Sequence, residues 1–112
     1  MVVFLPNMTE KRKPTYDLEA FKDAFSFVQK LAITGTALRS AAALGFGRAE
    51  IVGTIQTMQR EHFYKSMTAY ADTRVWHDVY RVPSPVGMLY LKFTVDVGTE
   101  FLLLSFKEKD DE

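Results

Sequence analysis

The chain has 112 residues, enough for a single domain with a modest core. Its composition, 47% hydrophobic and 25% charged, is that of a folded globular protein and excludes a disordered one, and the absence of cysteine excludes disulfides, thiolate metal sites and a cysteine nucleophile. A formal net charge of zero argues against a protein that coats nucleic acid over its whole surface. Three of the fourteen acids are Asp110, Asp111 and Glu112, however, and the rest of the chain sets fourteen basic residues against eleven acidic ones, which leaves room for a local cationic patch.

In chain order, Met1–Leu5 is apolar but runs at once into Pro6, Asn7 and charge, too short for a secretory core or a membrane span. It reads as an arm or a short edge strand, and the basic run Lys11-Arg12-Lys13 as its solvated continuation. Leu18, Phe21, Phe25 and Val28 recur at helical spacing and predict a helix from about Asp17 to Leu31, with Asp17 and Glu19 in the turn where the helix dipole favours acids. Gly35 marks the following turn. A short alanine-rich helix fits Thr36–Leu44 with Gly45 as its stop, and a third fits Arg48–Gln59 with Ile51, Val52, Ile55 and Met58 inward.

From Phe63 the period changes to two. Strands are predicted over 63–69, 75–82, 88–96 and 101–107, with turns at Ala71-Asp72-Thr73, at Pro83-Ser84-Pro85 with Gly87, and at Gly98-Thr99. Short links between consecutive strands imply antiparallel pairing, so the fold class is α+β: N-terminal helices on one face of a C-terminal antiparallel sheet. The tail 110–112 is expected to be disordered.

Alternation then sorts side chains between faces. Leu89, Leu91, Phe93 and Val95 are all apolar and must meet the helices, which turns Tyr90, Lys92 and Thr94 to the open side. In 101–107, Leu102, Leu104 and Phe106 form one set, while Ser105 and Lys107 share the other with Phe101 and Leu103. In 75–82, Val75, His77, Val79 and Arg81 oppose Trp76, Asp78 and Tyr80; in 63–69, Lys65 falls with Phe63 and Met67. An open face gathering Lys65, His77, Arg81, Tyr90 and Lys107 is compatible with these patterns but not required by them, because the register is unknown. Trp76 reads as core, and His62 as a neighbour without a role.

The stretch FYKSMTAYADTRVWHDVYR (Phe63–Arg81), with LYLKFTV (Leu89–Val95) and LLSFKEK (Leu103–Lys109), strongly resembles the MqsR family of motility quorum-sensing regulator toxins. TYDLEAFKDAF (Thr15–Phe25) and ALRSAAALGF (Ala37–Phe46) resemble it too, so the likeness covers about residues 14–109. The resemblance implies a RelE-like toxin fold. It also implies a cytoplasmic bacterial endoribonuclease of a type II toxin–antitoxin system, which cuts messenger RNA at GCU-like sites without metal or cofactor. That cut arrests translation and growth and is linked to persistence and biofilm formation. The implied partner is an antitoxin encoded alongside, a dimeric helix-turn-helix protein that binds DNA, with no DNA binding by the toxin alone and no membrane association. Carried over by position, the family's functional residues are Lys65, Tyr90, Lys107 and Arg81, with Tyr64 and Met67 beside the lysine. His77 stands where the family pattern has glutamine.

Metal-free RNA cleavage needs a base for the ribose 2′-hydroxyl, an acid for the leaving 5′-oxygen, and cations for the phosphorane. Lys65, Arg81 and Lys107 are assigned to the phosphate, Tyr90 and His77 to proton transfer, and Tyr64 and Met67 to a base. With a reference value of about 6.5, His77 is expected to need no help to titrate near neutrality. His62 and His77 lie too far apart, among scattered acids, for a recognised metal spacing. Ser66 lacks a nucleophile elbow. The competing classes are a non-catalytic regulatory binding protein and a toxin inactivated by the change at His77.

Overall fold

The computed structural model describes the backbone of residues 2–5, 8–96 and 100–111, and the side chains of 9–96 and 100–110. Its elements follow the order strand β1 (Val2–Leu5), β2 (Met8–Lys11), helix α1 (Leu18–Ala24), α2 (Gly35–Ala43), α3 (Arg48–Thr57), then β3 (Phe63–Thr68), β4 (Trp76–Ser84), β5 (Gly87–Val95) and β6 (Phe101–Glu108). The six strands form one sheet in the order of the sequence, and every neighbouring pair is antiparallel. The α+β arrangement and the four C-terminal strands are as expected from the period of the sequence. Of the alternatives for the first residues, Val2–Leu5 is the edge strand. Strand β2 was not anticipated, and it draws the basic run into the structure: the register sets Lys11 opposite Ser66 and Glu10 opposite Met67. Among the described residues no helix is long and apolar enough to cross a membrane.

The first helix is shorter than its apolar stripe suggests. Asp17 caps it by accepting the N–H of Glu19 at 2.9 Å. At its other end Ser26 Oγ donates to the Asp23 carbonyl at 2.6 Å, and the Gln56 amide donates to the carbonyls of Lys22 and Phe25. Side chains thus take the acceptors that a longer helix would use. The chain leaves the helix, passes through a single 3-10 turn at Val28–Lys30, and Phe27 ends 60% exposed with Val28 exposed beside it. Thr34, not Gly35, opens α2, its hydroxyl accepting the Ala37 N–H at 3.1 Å, and Gly45 beyond its end takes the left-handed φ of 87° that only glycine adopts without cost. In α3 the four inward positions Ile51, Val52, Ile55 and Met58 are buried as expected.

One apolar cluster joins the helices to a single face of the sheet. Phe21 stacks on Phe93 with ring centroids 3.8 Å apart, Phe46 packs on Phe106, and Tyr80, Val82, Leu89, Leu91 and Leu103 complete the sheet's share. Two bulges correct the simple alternation. In β3 the pairing steps from Phe63↔Tyr80 to Lys65↔Val79, so Tyr64 is an extra residue; Phe63 packs against Tyr80 in the core while Lys65 emerges on the far side. In β6 it steps from Leu103↔Phe93 to Ser105↔Lys92, with Leu104 extra. Leu103 and Phe106 therefore both face the core, although three residues separate them, and the expected inward set Leu102, Leu104, Phe106 gives way to Leu103 and Phe106 with Phe101 packed alongside. Thr94, expected on the open side, gives its hydroxyl to the Trp76 carbonyl at 2.7 Å and lies 3.3 Å from the Tyr16 hydroxyl, whose ring packs on Phe93 and Phe101. The turn expected at Gly98-Thr99 lies outside the described residues, as does Glu112. Lys109–Asp111 form a 3-10 turn where disorder was expected.

Candidate active site on the open face of the sheet

Residues directly opposite each other on neighbouring strands project from the same face. The register is therefore enough to assemble the site. Tyr90 stands opposite Arg81 on one side and Lys107 on the other. Lys92 stands between Val79 and Ser105, and Val79 in turn opposes Lys65. Met67 pairs with His77 on β4 and with Glu10 on β2. Five strands thus send Glu10, Lys65, Met67, His77, Arg81, Tyr90, Lys92 and Lys107 to the face that the helices leave open. Every residue that the sequence singled out for the site is brought together there. Val79, fully buried yet outside the core cluster, is the apolar floor beneath these longer side chains.

Each cation is held in a particular way. Lys65 Nζ lies 2.8 Å from Glu10 Oε1, and both side chains are largely enclosed at 16% and 15% exposure. Tyr64, turned out by its bulge, forms a ring platform: the Arg81 guanidinium sits over it at 3.6 Å, while Arg12 lies 5.1 Å from the ring centroid and donates to the Tyr64 carbonyl at 3.2 Å. Lys107 Nζ lies 5.2 Å from the centroid of Tyr90, a ring only 7% exposed. Trp76 departs from its expected core position; it is half-buried, outside the core cluster, and covered by Lys11 Nζ at 4.1 Å.

His77 departs from expectation in its chemistry and not in its place. Burial, and after it the positive charge of Lys92, bring its imidazole down from 6.5 to about 4. At neutral pH the ring is uncharged. Burial, then Lys107 and Lys65, also hold the Lys92 ammonium below the usual lysine range. His62 is engaged elsewhere, its Nδ1 accepting the Gln59 N–H at 2.9 Å. Among the described residues no three His, Cys, Asp or Glu side chains gather as a metal ion would need.

Sequence reasoning missed Glu10 and Arg12. Their strand is four residues long and pairs with a segment more than fifty positions away, so no local period announces it. It also missed Asp78, whose buried carboxylate accepts the Thr15 N–H at 3.1 and 3.0 Å and the Tyr16 N–H at 2.9 Å. That clamp fastens the segment before α1 to β4, and so braces the strand that carries His77 and Arg81.

A helix layer on one side of an antiparallel sheet, and a cationic and phenolic array on the other, define a small α+β protein with a bare, cation-rich sheet face. Residues 13–108 match the family model described as motility quorum-sensing regulator, toxin of MqsA, and the chain belongs to this family of toxins. It is 39% identical over 100 residues to the mRNA interferase toxin MqsR of Escherichia coli (strain K12), a match covering 89% of this chain and 99% of that protein. The family's description implies an antitoxin as partner.

Proposed function

We propose that this protein is an endoribonuclease toxin that cleaves messenger RNA by acid–base chemistry on the open face of its sheet. The observation that carries the reading is the convergence of Lys65, Arg81, Tyr90 and Lys107 from four consecutive strands onto one face, in a chain that shares 39% identity with an mRNA interferase. Lys65, Arg81 and Lys107 hold the scissile phosphate and stabilise the charge that develops on it. Tyr90 donates to the departing 5′-oxygen. Tyr64 and Met67 meet a neighbouring base, with the ring of Tyr64 pre-stacked by Arg81. The partner that neutralises it is an antitoxin encoded alongside, a dimer with a helix-turn-helix domain, and the setting is the bacterial cytoplasm, where messenger RNA is translated.

Purified protein incubated with a messenger transcript in excess EDTA should yield discrete fragments ending in 2′,3′-cyclic phosphate or 3′-phosphate, clustered at GCU-like sites. An intact transcript under those conditions sinks the reading.

His77 takes a neutral part in this scheme. An uncharged imidazole offers one donor and one acceptor, the same pair that a glutamine amide offers. His77→Gln should therefore retain most of the activity, whereas His77→Ala should lose about tenfold or more. The wild-type protein carries a second signature. A histidine whose folded value lies below its unfolded one contributes stability that is present above about 6.5 and is lost as pH falls toward about 4. The shift corresponds to ~3 kcal/mol in full, which screening by solvent around the half-buried ring reduces to about 1–2 kcal/mol. Urea denaturation at pH 7 and pH 4 should show that loss in the wild type and less of it in His77→Gln; equal losses would place the ring in solvent.

A further inference from the structure

Lys92 is the central position of the cationic array, and the scheme above leaves it without a task. It lies directly across from Val79 and Ser105, neither of which carries charge. The groups that face it are Lys65, paired to Glu10, on β3; His77 and Arg81 on β4; Tyr90 on its own strand; and Lys107 on β6. Among the described residues no carboxylate forms an ion pair with Lys92, no hydrogen bond engages its ammonium and no aromatic ring lies beneath it.

Its neighbours are each engaged by another group or only weakly basic. Lys65 is ion-paired with Glu10 at 2.8 Å. Lys107 lies 5.2 Å from the centroid of the Tyr90 ring. The Arg81 guanidinium sits over the Tyr64 ring at 3.6 Å and offers donors only. His77, at about 4, is neutral but a weak proton acceptor near neutrality.

We propose that the Lys92 amine is the general base of the reaction, the group that takes the proton from the ribose 2′-hydroxyl. The inference rests on the endoribonuclease reading above and adds the one role that reading leaves open. In the step, the 2′-oxygen gives its proton to the neutral Lys92 Nζ and forms its bond to phosphorus. The bond from phosphorus to the 5′-oxygen breaks, and that oxygen takes a proton from the Tyr90 hydroxyl. The products are a 2′,3′-cyclic phosphate and a free 5′-hydroxyl, and solvent returns both side chains to their starting states. The charge balance makes loss of a proton from Lys92 less costly than from an ordinary lysine even with RNA bound. Lys65, Arg81, Lys92 and Lys107 are four cations; Glu10 and one phosphodiester offset two of them, and loss of a proton from Lys92 halves the remaining excess. The lowered position of Lys92 relative to an ordinary lysine is in keeping with this.

The test uses the full chain and a 5′-labelled messenger transcript in EDTA, with single-turnover rates measured from pH 5 to 9, and a 2′-O-methyl version of the same transcript to measure binding without cleavage. Lys92→Met should lower the cleavage rate roughly 10²–10⁴-fold while binding of the 2′-O-methyl transcript changes only several-fold, which also reports that the fold is intact. Lys92→Arg should be as impaired, because a guanidinium keeps the charge but cannot accept the proton. Lys92→Cys alkylated with 2-bromoethylamine restores a side-chain amine of lower basicity; it should recover cleavage and move the rising limb of the pH profile to lower pH. A Lys92→Arg protein cleaving at the wild-type rate, or a Lys92→Met protein that loses only RNA affinity, overturns the assignment while leaving the endoribonuclease reading in place. Failure of the wild-type protein to cut in EDTA removes both, and is seen before any substitution is made.

Discussion

Replacing Lys65 by alanine should cost more activity than replacing Lys107, although both are cations on the same face. Removing Lys107 deletes one positive group beside Tyr90 and leaves nothing opposed to the substrate, a loss expected near 10²-fold in single-turnover cleavage. Removing Lys65 also strips Glu10 of its partner at 2.8 Å. The carboxylate, only 15% exposed, would then face the phosphate uncompensated. The combined loss is expected at roughly 10³–10⁴-fold. The mechanism has its own check: Glu10→Gln added to Lys65→Ala should recover about tenfold, because the amide removes the repulsion without restoring the cation. Equal rates for the two single variants, or no recovery in the double, would show that Glu10 does not face the substrate. Lys107→Ala should unfold at the wild-type denaturant midpoint, since that side chain does not reach the core cluster, whereas Lys65→Ala should unfold at a lower one, because Glu10 is left enclosed without its partner.

Asp78→Ala should act the other way, through the fold. Asp78 is fully buried and receives three hydrogen bonds from the backbone of Thr15 and Tyr16. Charge-assisted bonds of this kind contribute about 1.5–3 kcal/mol each, and removal leaves two N–H groups without their acceptor. A net loss of about 3 kcal/mol or more is expected, a large part of the 5–15 kcal/mol that holds a domain of this size together. Urea titration should show the midpoint falling with the slope unchanged. Asn at this position is a poor substitute, because an amide offers one acceptor oxygen where the carboxylate offers two. A variant that keeps its midpoint would mean that the Thr15–Tyr16 segment is fastened by other contacts.

The extent to which fold and site were legible in the sequence follows from where strict alternation holds. Strand β5 obeys it from Leu89 to Phe93, so Tyr90 and Lys92 were placed on the correct face from spacing alone. Strands β3 and β6 read as mixed, with Phe63 beside Lys65 and Leu103 beside Lys107. The mixture was not noise: each strand carries one extra residue, and a period of two cannot survive it. The first helix was overextended because Phe25 and Val28 continue a helical stripe, whereas Ser26 and Gln56 claim the carbonyls that would prolong it. Local period cannot see an acceptor occupied from thirty residues away. The same blindness hid β2, and with it Glu10 and Arg12. The value for His77 was missed for a different reason. Its place on the face was read correctly, but burial among cations is a property of the assembled sheet and not of the residue.

The extra residue at Leu104 has a consequence for how this chain tolerates change. Upstream of it Phe101 and Leu103 are directed to the apolar interior; downstream Ser105 and Lys107 are directed to the open side. Because Leu104 has no partner across the sheet, exchanging it for another side chain leaves every pair intact, and deleting it would close the bulge with Phe106 still inward and Lys107 still on the open face. Lineages of this toxin should therefore tolerate at this position both a change of side chain and the loss of the one residue.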